Sequence, residues 1–93
     1  TMAIRNIKHK GLRELFHNGS HRRLGKQFPA AATMILDHLG AAVDLGDCED
    51  VWGFHELEGN RKGTFAMIVS RNWLVTFKYE DGEFADLNFE DYH

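Results

Sequence analysis

TFAMIVSRNWLVTFKYEDGEFADLNF, residues 64–89, decides the fold. Thr64–Val69 and Trp73–Tyr79 are apolar, aromatic and β-branched, the composition that suits a pleated, half-buried surface. Ser70-Arg71-Asn72 joins them. Glu80-Asp81-Gly82 predicts a hairpin turn, because Asp-Gly tolerates the positive φ that a tight hairpin needs. Phe84–Phe89 reads as the last strand. Trp73, Phe77, Phe65, Val69, Leu87 and Phe89 are expected in the core, since an aromatic stripe on strands packs far more often than it binds.

Upstream, Val51–Leu57 reads as one more strand. It is stopped by Glu58-Gly59-Asn60-Arg61-Lys62-Gly63, a turn with two glycines. Before it the period changes to that of helices. Phe28–Val43 predicts a helix with Pro29 in its first turn. Ala31, Met34, Ile35, His38, Leu39 and Ala42 are expected on its buried stripe. Gly11–His17 puts Leu12, Leu15 and Phe16 at i, i+3, i+4, a short amphipathic helix ended near Gly19. Ala3–Lys8 alternates weakly and reads as an edge strand. The order predicts an α+β fold with two N-terminal helices packed on a largely antiparallel sheet of four to five strands.

The chain has 93 residues, 43% hydrophobic and 27% charged. That supports one domain over residues 1–93 with one modest core. It excludes a disordered tail, a collagen and a solenoid. No run of about eighteen apolar residues exists to span a membrane. No charged-then-apolar leader opens the sequence, which predicts a cytoplasmic protein without membrane partners. The single Cys48 stands among acids in Gly46-Asp47-Cys48-Glu49-Asp50 and is expected to be an inert thiol. His17 and His21 lack a carboxylate to complete a metal set, so no metal or cofactor is expected. His38 reads as a satisfied, partly buried histidine.

Charge is unevenly spread. Residues 1–30 carry seven bases and one acid, residues 31–93 four bases and thirteen acids. This split fits a polyanion or an acidic partner on one side. It fits equally well two solvated faces that neutralise each other in the fold.

Three blocks carry a resemblance. Ile7-Lys8-His9-Lys10-Gly11-Leu12-Arg13-Glu14-Leu15-Phe16 opens the chain. Phe54-His55-Glu56-Leu57-Glu58-Gly59-Asn60-Arg61-Lys62-Gly63 runs on through Val69, Asn72-Trp73 and Thr76-Phe77. Leu87-Asn88-Phe89-Glu90-Asp91-Tyr92-His93 ends it. Together they resemble the HigB branch of the RelE/ParE toxin superfamily. The resemblance implies a RelE-like, microbial-RNase-type fold and a toxin of a type II toxin–antitoxin system. It implies an endoribonuclease that cuts messenger RNA in the 30S ribosomal A site without metal. The implied partners are the ribosome, messenger RNA and a helix-turn-helix antitoxin of the HigA kind, which alone would bring operator DNA. Two other functions stay open. One is a degenerate member acting through antitoxin binding and transcriptional autoregulation. The other is a ParE-type toxin that poisons gyrase without cutting nucleic acid. Glu58 stands where relatives often carry Lys, and Leu74 where they often carry Arg.

Such cleavage needs one proton removed, one supplied, and charge stabilised on phosphoryl oxygens. The resemblance points to the terminal motif for this chemistry. His93 carries the chain's own carboxylate beside Asp91 and Glu90, which favours imidazolium and a general-acid role. The phenol of Tyr92 is a poor base at neutral pH and suits stacking or a phosphate hydrogen bond. Asp91 accepts hydrogen bonds only and suits orienting His93 or a ribose hydroxyl. Arg61, Lys62 and Arg71 are expected to hold phosphate and Asn72 to hold ribose or a base edge. His55 is expected to be structural. Lys8, Lys10, Arg13, Arg22, Arg23 and Lys26 are expected to touch ribosomal RNA.

Overall fold

The computed structural model describes residues 4–19, 29–42, 44–49, 51–70 and 72–91. Two helices, α1 (Lys10–Asn18) and α2 (Pro29–Ala41), precede four strands, β1 (His55–Glu56), β2 (Thr64–Ile68), β3 (Trp73–Glu80) and β4 (Glu83–Asp91). The strands pair in chain order as an antiparallel meander. This is the α+β fold expected from the sequence.

α1 starts where His9 lends its imidazole as a cap. Nδ1 accepts the Leu12 N–H at 3.2 Å. It stops at Gly19, whose φ of 72° is left-handed and whose N–H returns to the Leu15 carbonyl. Pro29 opens α2, where an absent N–H leaves no helix bond unmade. Ala32, Ile35, Leu36 and Leu39 are buried, an i, i+3, i+4, i+7 face. Met34 is 57% exposed, so the buried stripe is rotated from the one expected. Leu36 takes an inward place and joins Ile35 and Leu39 in the core. His38 is partly buried as expected: Nε2 lies 2.7 Å from the Asp47 carbonyl, and its ring meets Trp52 edge-on.

Two expected strands are shorter than read. Val51–Leu57 gives only His55 and Glu56 to the sheet, because Trp52 and Gly53 turn the chain at φ 48° and 62°. In the N-terminal stretch only isolated parallel bridges form, Ile4 with Phe84 and Ile7 with Leu87. Ile4 and Ile7 are both buried three residues apart, a spacing no strand alternation produces. Asn6 fastens this stretch. Its amide exchanges two hydrogen bonds with Asp86, at 2.9 and 3.0 Å. Asp86 sits at φ 54°, where β4 slips register against β3 between Thr76 and Lys78. A bulge frees an edge group in this way, and Asp is among the residues that accept a positive φ.

The core lies between the helices and one face of the sheet. Leu12, Leu15, Ile35, Leu36 and Leu39 meet Met67, Val75, Phe77, Leu87 and Phe89. Phe65 and Trp73 pack at its margin, as expected for strand aromatics, and so does Val69. Cys48 is fully buried, and burial, then Asp47 and Asp44, push its thiol up to about 11. It is an inert thiol, held so more by burial than by its acidic neighbours.

Candidate functional site

Side chains of directly paired residues in an antiparallel sheet project to the same face. The register therefore lays out the face opposite the helices row by row. His55, Ala66, Thr76 and Asn88 form one row across all four strands. Ile68, Leu74 and Glu90 form the next, and Thr64 with Lys78 another. A small polar hollow of about 80 Å³ opens on this face, lined by Lys8, Arg61, Thr76, Lys78, Asn88 and Glu90 among others.

Arg61 reaches this face from the β1–β2 turn. Its two Nη nitrogens donate to the two Glu90 carboxylate oxygens, each at 2.7 Å. The Thr76 hydroxyl donates to the same carboxylate. Arg61's hydrogen bonds hold Glu90 below the usual carboxylate range against the opposing effect of burial, with Thr76 and the charges of Arg61 and Lys8 adding to it. Glu90 is thus an anion at neutral pH and a poor proton acceptor.

His55 is exposed on β1. Its Nδ1 lies 2.8 Å from the Gly53 carbonyl, an oxygen that only accepts. Nδ1 therefore carries the hydrogen, and in the neutral ring Nε2 keeps a lone pair. The structure brings a histidine to the sheet's open face where sequence reasoning expected a structural residue.

Of the expected phosphate and RNA residues, Arg61 and Lys8 meet at this hollow. Asp91 ends β4 opposite Trp73, and Asn72 is exposed in the adjoining β2–β3 turn. Lys62 does not join them. It lines a separate hollow with Glu56 and Glu58. Lys10 is exposed on α1. Arg13 spends Nε and Nη2 on the Ile7 carbonyl at 3.2 and 3.1 Å, holding the N-terminal stretch to α1. Tyr92, His93, Arg71, Arg22, Arg23 and Lys26 lie outside the described residues.

Sequence reasoning missed Thr76, Lys78, Asn88 and Glu90 as a group. The signal was present. Thr76 and Lys78 are polar at i and i+2 within an apolar strand, and Asn88 and Glu90 repeat that spacing in the next. Alternation of this kind marks a second, polar face.

The model of a toxin family, described as the RelE-like toxin of type II toxin–antitoxin system HigB, matches residues 5–93. The chain belongs to this HigB family. It is also 33% identical over 91 residues to Endoribonuclease HigB of Proteus vulgaris, covering 97% of this chain and 99% of that relative. A HigB-family toxin is half of a type II pair, so an antitoxin is its partner. Among the described residues no helix is long and apolar enough to cross a membrane.

Proposed function

We propose that this HigB-family toxin is an endoribonuclease that binds RNA across the open sheet face and cuts it by attack of a ribose 2′-hydroxyl on the adjacent phosphorus. The observation that carries the reading is the polar face itself. His55, Thr76, Lys78 and Asn88 lie on the sheet face opposite the core, and Lys8 joins Thr76, Lys78 and Asn88 at its hollow beside Asp86 and Glu90. The name of the Proteus vulgaris relative, an endoribonuclease, supports cleavage of RNA.

In this reading His55 Nε2 takes the 2′-hydroxyl proton. The freed oxygen forms a bond to phosphorus, and the bond from phosphorus to the 5′-oxygen breaks. The leaving 5′-oxygen takes a proton from the His93 imidazolium. The products are a 2′,3′-cyclic phosphate and a 5′-hydroxyl. Lys8 and Lys78 offset charge on the phosphoryl oxygens. Asp91 orients His93, and Tyr92 stacks on a base or bonds to phosphate. His93 follows Asp91 in sequence with Tyr92 alone between them. Asn72 holds ribose from the adjoining turn. Arg22, Arg23 and Lys26 serve with Lys10 as contacts to ribosomal RNA, and Arg71 and Lys62 as outlying phosphate contacts. Ribosomal messenger RNA is the substrate, in the cytoplasm, and the antitoxin of the pair carries the operator-binding helix-turn-helix.

The experiment is cleavage by the purified toxin of one messenger RNA, either free or placed on 30S–50S ribosomes. The reading expects cuts within codons on the ribosome and slow or no cutting of the free strand. Equal cutting of both removes the ribosome from the account. Intact RNA in both removes the nuclease.

A further inference from the structure

Arg61 and Glu90 lie 29 residues apart in sequence and meet as a fork on a fork. A guanidinium that holds phosphate uses the same two nitrogens. Here both are committed to a carboxylate of the chain itself. The third member, Thr76, is buried, so its hydroxyl is fixed in place beneath the pair.

The two ends of this bridge differ in what else holds them. Arg61 closes a single 3-10 turn, Gly59–Arg61, which begins on Gly59 at φ 69° and is followed by Gly63 at φ 97°. Inside it the Arg61 and Lys62 N–H groups donate to the Glu58 and Gly59 carbonyls at 3.4 and 3.2 Å, while its glycines leave the backbone more freedom than other residues would. It is tied back by the Gly63 N–H, which donates to Glu56 at 2.9 Å, and by Arg61. Glu90 is paired through its backbone with Leu74 and stands one residue before Asp91. The bridge therefore runs from the β1–β2 turn across the open face to the end of the last strand.

We propose that Arg61 is a positioning residue rather than a phosphate ligand: with Thr76 it clamps Glu90, and the clamp sets the end of β4 from which Asp91, Tyr92 and His93 continue. The role rests on the nuclease reading only in taking residues 91–93 to do chemistry. The clamp holds the last residues of β4 up to Asp91, and leaves phosphate to Lys8 and Lys78. A misplacement of about 1 Å in such a motif lowers turnover by up to about 100-fold.

The test uses the full chain with Arg61→Lys, which keeps the charge and loses the fork, and Glu90→Gln, which keeps the size and loses the charge. Cleavage on messenger-programmed ribosomes is followed as kcat, KM and salt dependence, and amide hydrogen exchange is followed on the free protein. Each variant is expected to lose roughly tenfold or more in kcat with KM within about twofold. The double variant is expected to lose little more than either single one, because both remove one unit. Exchange at residues 60–63 and 88–91 should quicken while the core amides stay protected. A nearly wild-type Arg61→Lys overturns the proposal. So does an Arg61→Ala that raises KM and flattens the salt slope by about one with kcat unchanged, the behaviour of a phosphate contact. Unchanged exchange at both segments overturns it as well. A wild-type chain that cuts nothing refutes the nuclease reading, and the exchange data then still decide the clamp.

Discussion

His55 leans its Nδ1 on the Gly53 carbonyl, and that contact decides which nitrogen is left for a substrate. His55→Ala is expected to lower kcat by about 10² to 10⁴, the usual worth of a positioned base, with the protein still folded because the ring is exposed. Steady-state kinetics beside a thermal melt separate the two effects. His9 is a second histidine with one nitrogen committed, here to the cap of α1. Burial holds it below the usual imidazole range. The unfolded chain therefore takes up a proton before the folded one does. Stability is full above about pH 7 and falls as pH drops through about 6.5. Glu90, also held low, adds a second loss below about pH 4.5, where the unfolded carboxylate protonates first. Urea midpoints from pH 8 to 4 should fall in that order, and His9→Gln should flatten the first limb. Neither limb was readable from sequence. The sequence assigned His9 no role of its own, and Glu90 only that of a neighbour of His93. Their roles depend on partners 3 and 29 residues away.

At the scale of elements, legibility follows local chemistry. The β3–β4 turn reads directly, because Asp81 and Gly82 at φ 52° and 80° are the pair a two-residue hairpin demands. Val51–Leu57 misreads because its apolar residues serve a turn, with Trp52 at positive φ against the sequence's own preference. Gly53 shows why. A β-carbon there would meet Ile68 Cδ1 at 2.7 Å, in a backbone that already favours glycine. Gly53→Ala should destabilise the protein by about 1–3 kcal/mol and disturb His55, whose ring hangs on the Gly53 carbonyl. A lowered melting temperature together with reduced kcat is the expected pair of readings. The polar face was half legible. Its strands could be seen, but the rows across them appear only once the register is known, and register joins residues far apart in sequence.

At the scale of the whole molecule, the basic residues of the described opening stretch divide into two parts. Arg5 answers the acidic hairpin, with Glu80 at 3.1 Å and Glu83 at 3.0 Å, so part of the basic opening is neutralised within the fold. Lys8 is turned instead toward the open face. Overall acidity is therefore a poor guide to that face. Glu58 shares a separate hollow with Lys62 and Glu56. Glu58→Lys is expected to lower KM severalfold at low salt and to lose that gain as salt rises, which a titration at two ionic strengths reads. The family and its two-layer fold are legible because three blocks of this sequence span nearly the whole chain. Residue roles are less legible, since a fold hosts its chemistry in sites that pairing assembles.

The most direct test is to induce the wild-type chain and His93→Ala in a bacterium and map the ends of messenger RNA. Wild type should produce new ends within codons soon after induction, and the variant, made at equal level, should produce none. Undiminished ends from His93→Ala, or growth arrest by the wild type with every message intact, would contradict the account.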